Sequence, residues 1–540
     1  MDRTAALIQS AHGLARAALT RPVRGAVAVG LLAFGLTLAA CVATSPRGAG
    51  GTKRPPCPLG TIATLETGTP VYEDDPVATP KKQAWEEALG GQEAARPHVR
   101  ARLRGWPERV LVDRQTLPAT DREFLERLAR DTWRGLDALT DRENGLPVDH
   151  VRLGGGADGL ADARVGDYTN ITNVGLRLIA IVAARELELV PASEAIEKIQ
   201  RLLDTLDRLE THHDLLFNYY DTTSLERSSN FLSFIDSAWL TAGLMVVRTT
   251  FPQLHDRASK LIRQMDYGFF YDPKLGYMSH GYYVHRRSRS RYHYGVLYTE
   301  ARLGGLIAIG KGDVPENLWF DMVRTYPAAC AGQTSPPIDT KLKRIRGHEV
   351  FAGHYAWRGL EYVPSWGGSM FEALMPSLVL DETRHAPKSL GANDLVHAIV
   401  QRRYATEELG YPVWGISPSA MPAGDGYREY GVRVLGARGY RAGTVTPHAA
   451  ALALSATPDA ALANLRTLAR LYDIYGNYGF YDAVDPASGQ VARTYLALDQ
   501  SMVFIAAANH LKPHCIQERF AADPIAQRAL AIIGEEDFLN

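Results

Sequence analysis

The sequence predicts an all-α fold, a closed double ring of paired helices of the (α/α)6 toroid type, on three observations. Apolar residues recur with the 3.6-residue helical period through most of the chain from Asp121 onward. The periodic stretches come in pairs joined by short connections, which makes the partners antiparallel neighbours. Between pairs the connections are long and aromatic, and several helices are apolar nearly all round, as an inner layer screened by an outer one requires.

The elements follow in order. Asp121–Leu139 carries Phe124, Leu125, Leu128, Trp133 and Leu136 on one stripe. Val174–Leu189 and Ile196–Leu209 pair across a short "VPAS" turn, and Phe231–Val247 pairs with Leu254–Met265. Tyr294–Gly310 with Asn317–Val323 and Phe371–Leu380 with Leu395–Tyr404 continue the series. His448–Leu454 with Ala460–Leu471 and Asp499–Leu511 with Ile525–Ile533 complete it. The long connections echo one another: Asn218-Tyr219-Tyr220-Asp221, Phe269-Phe270-Tyr271-Asp272 and Gly479-Phe480-Tyr481-Asp482 each set aromatics before an Asp. Each Asp is open to two readings, a turn residue or a group in a sugar-sized hollow lined by aromatic faces.

Ahead of the helices the chain has a different character. Arg21 and Arg24 precede the apolar run "GAVAVGLLAFGLTLAAC", too short for a comfortable membrane span. Its end, Leu38-Ala39-Ala40-Cys41, resembles a bacterial lipobox, with an ordinary signal peptide as the alternative. The expectation is a signal peptide over residues 1–40 and a lipid on Cys41, with Val42 favouring the outer membrane and a periplasm-facing site. Residues 41–115 read as a tether and irregular lead-in, and 116–540 as the folded domain. Cys57, Cys330 and Cys515 allow at most one disulfide.

Composition narrows the function. Lys and Arg total 59 against 60 Asp and Glu, so no basic excess points to nucleic acid. A phosphate-binding glycine loop, a G-x-S-x-G elbow and an HExxH pair are all missing from the sequence, and His212-His213-Asp214 is a weak metal signal. What remains is a set of acids in apolar surroundings. Asp236 falls in "NFLSFIDSAWLTAGLMVV" beside Leu232, Trp239 and Leu240 on a helical face. Glu300 falls in "HYGVLYTEARLGGLIAIG" beside Leu297, Leu303 and Gly304. Glu372 stands in "SWGGSMFEALMP" and Glu429 in "DGYREYGV". An ionised carboxylate in such a place needs a partner, a cavity or a raised pKa. An ion pair between helices, or a hydrogen bond to a loop backbone, is the bland reading. Paired carboxyls for glycosidic hydrolysis are the sharp one, one kept protonated and one ionised. His448 in "TVTPHAAALAL" reads equally as a capping residue or a substrate contact.

Several segments are together recognisable: "DYTNITNVGLRLIAIVAARELELV", "YTEARLGGLIAIGKGDVP", "VPSWGGSMFEALMP", "DGYREYGV", "TVTPHAAALAL", "NYGFYDAVDP" and "ALDQSMVFIAAANHL". In this order, from about Asp121 to Pro513, they resemble the glucoamylase-like domain of bacterial β-1,2-glucan enzymes. That group includes glycoside hydrolase family 144 and the related domain of cyclic β-1,2-glucan synthases. The resemblance implies the toroid and endo-type, inverting cleavage of β-1,2-glucan, with Glu300 of "TEAR" as acid and Asp482 of "GFYDAV" as base. It places Asp236 in the sugar-binding centre and implies a proton path through a substrate hydroxyl or water. For Asp482 the turn reading competes with the base. Expected sugar contacts are Trp366, Glu372, Trp414, Tyr427, Glu429, Tyr430, His448, Phe480, Tyr481, Tyr298, Asn218 and Tyr220. No cofactor or metal is expected, and the chain is expected to act as a monomer. "DQSM" replaces the family's "DQGP", "IDS" replaces "VDS", and "CAGQTSPPIDTKLKRIRGHEV" is individual to this chain and expected to reshape one cleft wall. Linear, cyclic and branched periplasmic glucans all stay open as substrate. A non-catalytic glycan-binding lipoprotein and a transglycosylase are the rival functions.

Overall fold

A computed structural model describes residues 97–154, 159–330, 332–424 and 426–539. The expected signal peptide, Cys41 and Cys57 lie outside them. Sixteen helices are present among the described residues. They are α1 Pro97–Arg102, α2 Asp121–Ala138, α3 Ile171–Glu186, α4 Ala192–Leu206, α5 Phe234–Thr250, α6 His255–Gln264, α7 Ala301–Lys311 and α8 Asn317–Asp321. Then follow α9 Met370–Leu374, α10 Glu382–His385, α11 Leu390–Arg403, α12 Pro447–Leu452, α13 Pro458–Leu471, α14 Ala497–Leu511, α15 Cys515–Ala521 and α16 Pro524–Ile533.

Burial sorts them into two layers. In α3, α5, α7, α12 and α14 nearly every residue is buried, glycines and alanines included. Such helices have no polar face to offer water, so they belong inside. α2, α4, α6 and α13 each bury one stripe and expose the other side. Along the chain the two kinds alternate: α2, α4, α6, α8, α11 and α13 form the outer ring, and α3, α5, α7, α9, α12 and α14 the inner one. Neighbouring inner helices pack α3 on α5, α5 on α7, α9 on α12, α12 on α14 and α14 back on α3. The remaining joint, α7 to α9, is tied by Arg302, which donates to the carbonyl oxygens of Glu372 at 3.3 Å and Ala373 at 2.6 Å. This is the (α/α)6 toroid that the periodicity predicts.

The alternation has a geometric consequence. Inner-to-outer connections are short (187–191, 251–254, 312–316, 453–457) except 375–389, which carries α10, while outer-to-inner ones are long (139–170, 207–233, 265–300, 322–369, 404–446, 472–496). Every long connection therefore ends at the N-terminus of an inner helix, and all six gather on one rim. Short ladders fix those entries. Tyr168–Asn170, paired with Tyr219–Asp221, runs straight into α3. Phe231–Ser233, paired with Gly281–Tyr283, runs into α5. Thr494–Leu496, paired with His150–Arg152, runs into α14. At the opposite end α15 and α16 close the ring. Arg248 in the last turn of α5 is paired with Asp523, and Ile525 lies against Gly310.

Several boundaries differ from the sequence expectation. The helix expected from Phe231 begins at Phe234, because Phe231-Leu232-Ser233 is a strand. The one expected from Tyr294 begins only at Ala301. Apolar residues on a buried strand satisfy the helical period by coincidence over one turn. Residues 97–115 are no tether: Val99 and Leu103 are buried, and the Val112 N–H donates to the Tyr475 carbonyl. The "individual" segment forms a hairpin, β1 Ile338–Ile345 and β2 His348–Trp357, continued by β3 Leu360–Tyr362. Its ties run to the outer layer: His348 stacks on Phe320 at 4.3 Å, Lys343 reaches the Asp537 carbonyl, and Arg346 pairs with Glu316 and Glu535. Cys330 is disulfide-bonded and Cys515 is a buried free thiol.

Helices α3 and α5 meet backbone to backbone. A Cβ on Gly175 would stand 2.4 Å from the Trp239 carbonyl oxygen, and one on Gly243 would stand 2.4 Å from the Gly175 carbonyl oxygen. Backbone meets backbone there, so no side chain can rotate away. Gly175→Ala is expected to destabilise the domain by about 1–3 kcal/mol or more, read as a lowered urea midpoint with unchanged slope.

Candidate active site

The mouth of the ring is where the acids gather. Asp236 occupies the first turn of α5, whose N-cap is Ser233. Its Oδ1 accepts from Asn170 Nδ2 at 2.9 Å and from the Thr172 hydroxyl at 2.6 Å, both at the start of α3. Glu300 is the N-cap residue of α7. Neither acid has an ion-pair partner among the described residues, which removes the ion-pair reading for both. Glu300 keeps part of its surface open, yet protein surrounds it, and its carboxyl is pushed up to about 8. Burial is the main cause, reinforced by the nearby charges of Glu372 and Glu429 and opposed by Arg302. A helix N-terminus favours the anion. Desolvation and the like charges outweigh it.

Glu372 lies behind Glu300, buried in the first turn of α9. It accepts from the Ser365 hydroxyl at 3.0 Å, from the Gly367 N–H at 2.9 and 3.0 Å, and from the Ser369 N–H at 3.3 Å, while Ser369 caps its own N–H. This capping box explains an acid in an apolar run, and Gly368, at φ 80°, makes the turn that closes it. Both oxygens are taken by the chain's own loop, so the expected sugar contact is corrected: Glu372 shapes the loop and charges its neighbour. Burial still pushes it up to about 7.

Across the ring, Asp482 departs from its sequence siblings. Asp221 accepts from the N–H groups of Thr223 and Ser224, and Asp272 from those of Lys274 and Leu275, as turn residues do. Asp482 is only 2% exposed, and its Oδ2 accepts from the remote Ala420 N–H at 2.6 Å. The turn work is done by Asp485. Beside Asp482 stand Asp499, in the first turn of α14, and His448, in the first turn of α12. His448 Nδ1 is 2.9 Å from Asp499 Oδ2, at angles unsuited to a hydrogen bond. That nitrogen, both Asp499 oxygens and Asp482 Oδ1 have no hydrogen-bond partner among the described residues. Burial and mutual repulsion raise Asp482 far above the carboxylate range, burial pushes Asp499 up to about 7, and burial lowers His448 to about 4. One ligand atom from each of the three lies within 4.8 Å of the others, so this cluster has the groups and spacing to hold a cation.

The remaining expectations divide cleanly. Tyr427, 46% exposed, Glu429, which Tyr440 hydrogen-bonds, and the partly exposed Trp366 and Tyr430 stay accessible. Tyr427 feels Asp499, Asp482, Glu429 and Asp149 together, and Tyr294 feels Glu300 and Asp236; Glu429 also acts on Glu300, so the two sets lie within electrostatic reach of each other. The other named residues are core, which corrects their assignment as sugar contacts. Tyr220 donates to the Glu210 carbonyl, and Tyr481 to that of Val110. Tyr298 is locked on Asp394 under Arg302, and Phe480 packs against Tyr475. Trp414 is buried with its backbone N–H donating to Asn464 Oδ1, and Asn218 is buried with its Oδ1 accepting from Asn170. Sequence reasoning missed Asp149, held by Tyr168 and Asn173, along with Tyr294 and Tyr440. Asp149 sits in "PVDHV", which has no periodicity to betray it. Asp499 was visible in "DQSM", read there only as a departure.

Residues 337–524 match the family described as putative glucoamylase, and residues 127–280 match a family of unknown function, DUF3131. The chain is 33% identical over 299 residues to the cyclic β-(1,2)-glucan synthase NdvB of Rhizobium meliloti, covering 52% of this chain and 9% of that protein. It is 21% identical over 453 residues to the exo β-1,2-glucooligosaccharide sophorohydrolase of Parabacteroides distasonis, covering 78% of this chain and 59% of that one. It thus spans less than two thirds of either relative. The endo-β-1,2-glucanase from Chitinophaga pinensis, solved with sophorotriose and glucose, shares the fold at a TM-score of 0.61 and 15% identity, over 77% of this chain and 99% of that one.

The electrostatics give a test that needs no substrate. Carbon-13 NMR of labelled carboxyls is expected to show Glu300 titrating near pH 8. Glu429→Gln removes a neighbouring charge and is expected to move that midpoint downward.

Proposed function

We propose that this chain is a glycoside hydrolase that cleaves β-1,2-glucan within the chain and inverts the anomeric carbon. The observation that carries the reading is Glu300: an acid at the mouth, without a cation partner, whose surroundings keep it protonated near neutral pH. The relatives' named substrates supply the linkage. In this reading Glu300 gives its proton to the leaving glycosidic oxygen, directly or through a sugar hydroxyl. Asp482 acts as base in the state where Asp499 carries the proton that the two buried carboxyls share: it takes a proton from the attacking water, whose oxygen bonds to the anomeric carbon. Asp236 and Asn170 hold sugar hydroxyls at the N-termini of α5 and α3, and Tyr427 and Trp366 offer faces for the rings.

Transfer instead of hydrolysis is the second reading, favoured by the 33% identity to a synthase. Counting reducing ends separates the two, because transfer leaves their number unchanged. We further propose that the chain is carried on the outer membrane by lipid on Cys41, on the strength of the Leu38-Ala39-Ala40-Cys41 sequence.

Glu300→Gln and Asp482→Asn are each expected to lower kcat on β-1,2-glucan by about 10²-fold or more while leaving thermal unfolding near that of the parent. Unimpaired turnover in either would reject that assignment. Since a general acid works only while protonated, kcat/KM should fall as pH rises through about 8, the Glu300 value. Cys41→Ala is expected to shift the protein from the membrane pellet to the soluble fraction.

A further inference from the structure

We propose that the arginine-bearing hairpin on the rim is a subsite for anionic groups, phosphate or carboxylate esters, carried on the glucan. The polymer's identity rests on the reading above; the charge selectivity does not. Between Asp272 and Glu300 the chain holds no Asp or Glu, but has Lys274 and the arginines of "HRRSRSRYH", in a protein whose net charge is −1. Arg286, Arg287, Arg289 and Arg291 are all exposed. Among the described residues no carboxylate pairs with Arg287, Arg289 or Arg291. Arg289 donates Nε to the Phe269 carbonyl at 2.8 Å, and Arg291 donates to the Tyr292 hydroxyl at 2.8 Å, so each keeps guanidinium N–H groups for a ligand.

The position links this charge to the mouth. Ser288–Arg289 pairs with Gly281–Tyr283, which pairs with Phe231–Ser233, the strand that enters α5 three residues before Asp236. Arg289 is thus two strand spacings, about 10 Å, from that strand. Next to the arginines is an aromatic shelf: Phe269 lies 4.8 Å from Tyr282 and 5.1 Å from His213, and His212 stacks on Tyr282 at 5.9 Å. On the site side His280 stacks at 4.2 Å on Tyr294, which in turn feels Glu300 and Asp236. Rings for sugar faces beside forked donors for an anion suit a charged saccharide better than a lipid surface, which would use the cations alone.

The test compares neutral β-1,2-glucan with glucan of the same length bearing phosphate or succinate esters, by calorimetric binding and by kcat/KM. The full chain and an Arg287→Ala/Arg289→Ala/Arg291→Ala variant are used. The parent is expected to favour the charged glucan about tenfold at low salt. The margin should shrink as salt rises from about 50 to about 500 mM, and the triple variant should lose it while handling neutral glucan as before. Equal preference in parent and variant overturns the proposal, as does arginine-dependent binding to phosphatidylglycerol vesicles without charge selectivity among glucans. Selective binding with no cleavage of either glucan would instead overturn the glucanase reading alone.

Discussion

The structure depends on one constraint: six helices that are buried on nearly every side must stand parallel inside a ring of six others. Nothing else available to this chain can hide α3, α5 and α14, whose alanines and glycines leave no polar stripe. Strict alternation of inner and outer helices then brings every inner N-terminus to one rim. Each such terminus presents unsatisfied N–H groups and a positive partial charge. Asp236, Glu300, Glu372, His448 and Asp499 all occupy the cap or first turn of an inner helix. The cluster of acids follows from the topology, and distant stretches of sequence need no further device to meet.

Two forces then compete at that rim. Helix ends and loop N–H groups lower a carboxyl's pKa, while burial and neighbouring carboxyls raise it. Where donors are plentiful and water reaches, as at Asp236 with Asn170 and Thr172, the acid is well served by hydrogen bonds. Glu372 has four loop contacts and is raised even so. Glu300 has few donors and two acidic neighbours, and it is raised further. The ring's closing joint contributes here. Arg302, two residues on, spends its charge on Glu382 at 2.7 Å and on the α9 carbonyls, and only partly offsets the repulsion at Glu300.

The architecture was legible because long amphipathic and all-apolar runs leave a periodic trace, and because their pairing shows in connection length. Element starts were not. Phe231-Leu232-Ser233 and Tyr294–Thr299 carry the apolar pattern of a helix turn, yet they are strand and turn, held by cross-strand partners far along the chain. The β1–β2 hairpin leaves no trace in the helical period, and its residues stand out only as a segment individual to this chain. In the site, the acids stood out since a charge in an apolar run breaks the local pattern. The aromatics did not sort in the same way. Tyr481 and Tyr427 look alike in sequence, but one is sealed under the lead-in at Val110 and the other opens to water. That difference is made by residues 97–115, whose packing no local pattern announces.

One connection ties the two halves of the site together. Glu300 belongs to α7, and Asp482 and Asp499 to the last long connection and α14, so the ring separates them. Residues 404–446 lie between. Glu429 acts on Glu300, and the adjacent Tyr427 feels Glu429, Asp482 and Asp499 at once. The Asp482 carboxylate is itself held by the Ala420 N–H of this same segment. Ala420 and Tyr427 are cross-strand partners, so the donor to the acid pair and the tyrosine facing it move as one unit. A shift of that short ladder alters Glu300's electrostatic neighbour and Asp482's hydrogen bond together. The proton affinities on the two sides of the mouth are therefore set jointly, by a loop that belongs to neither.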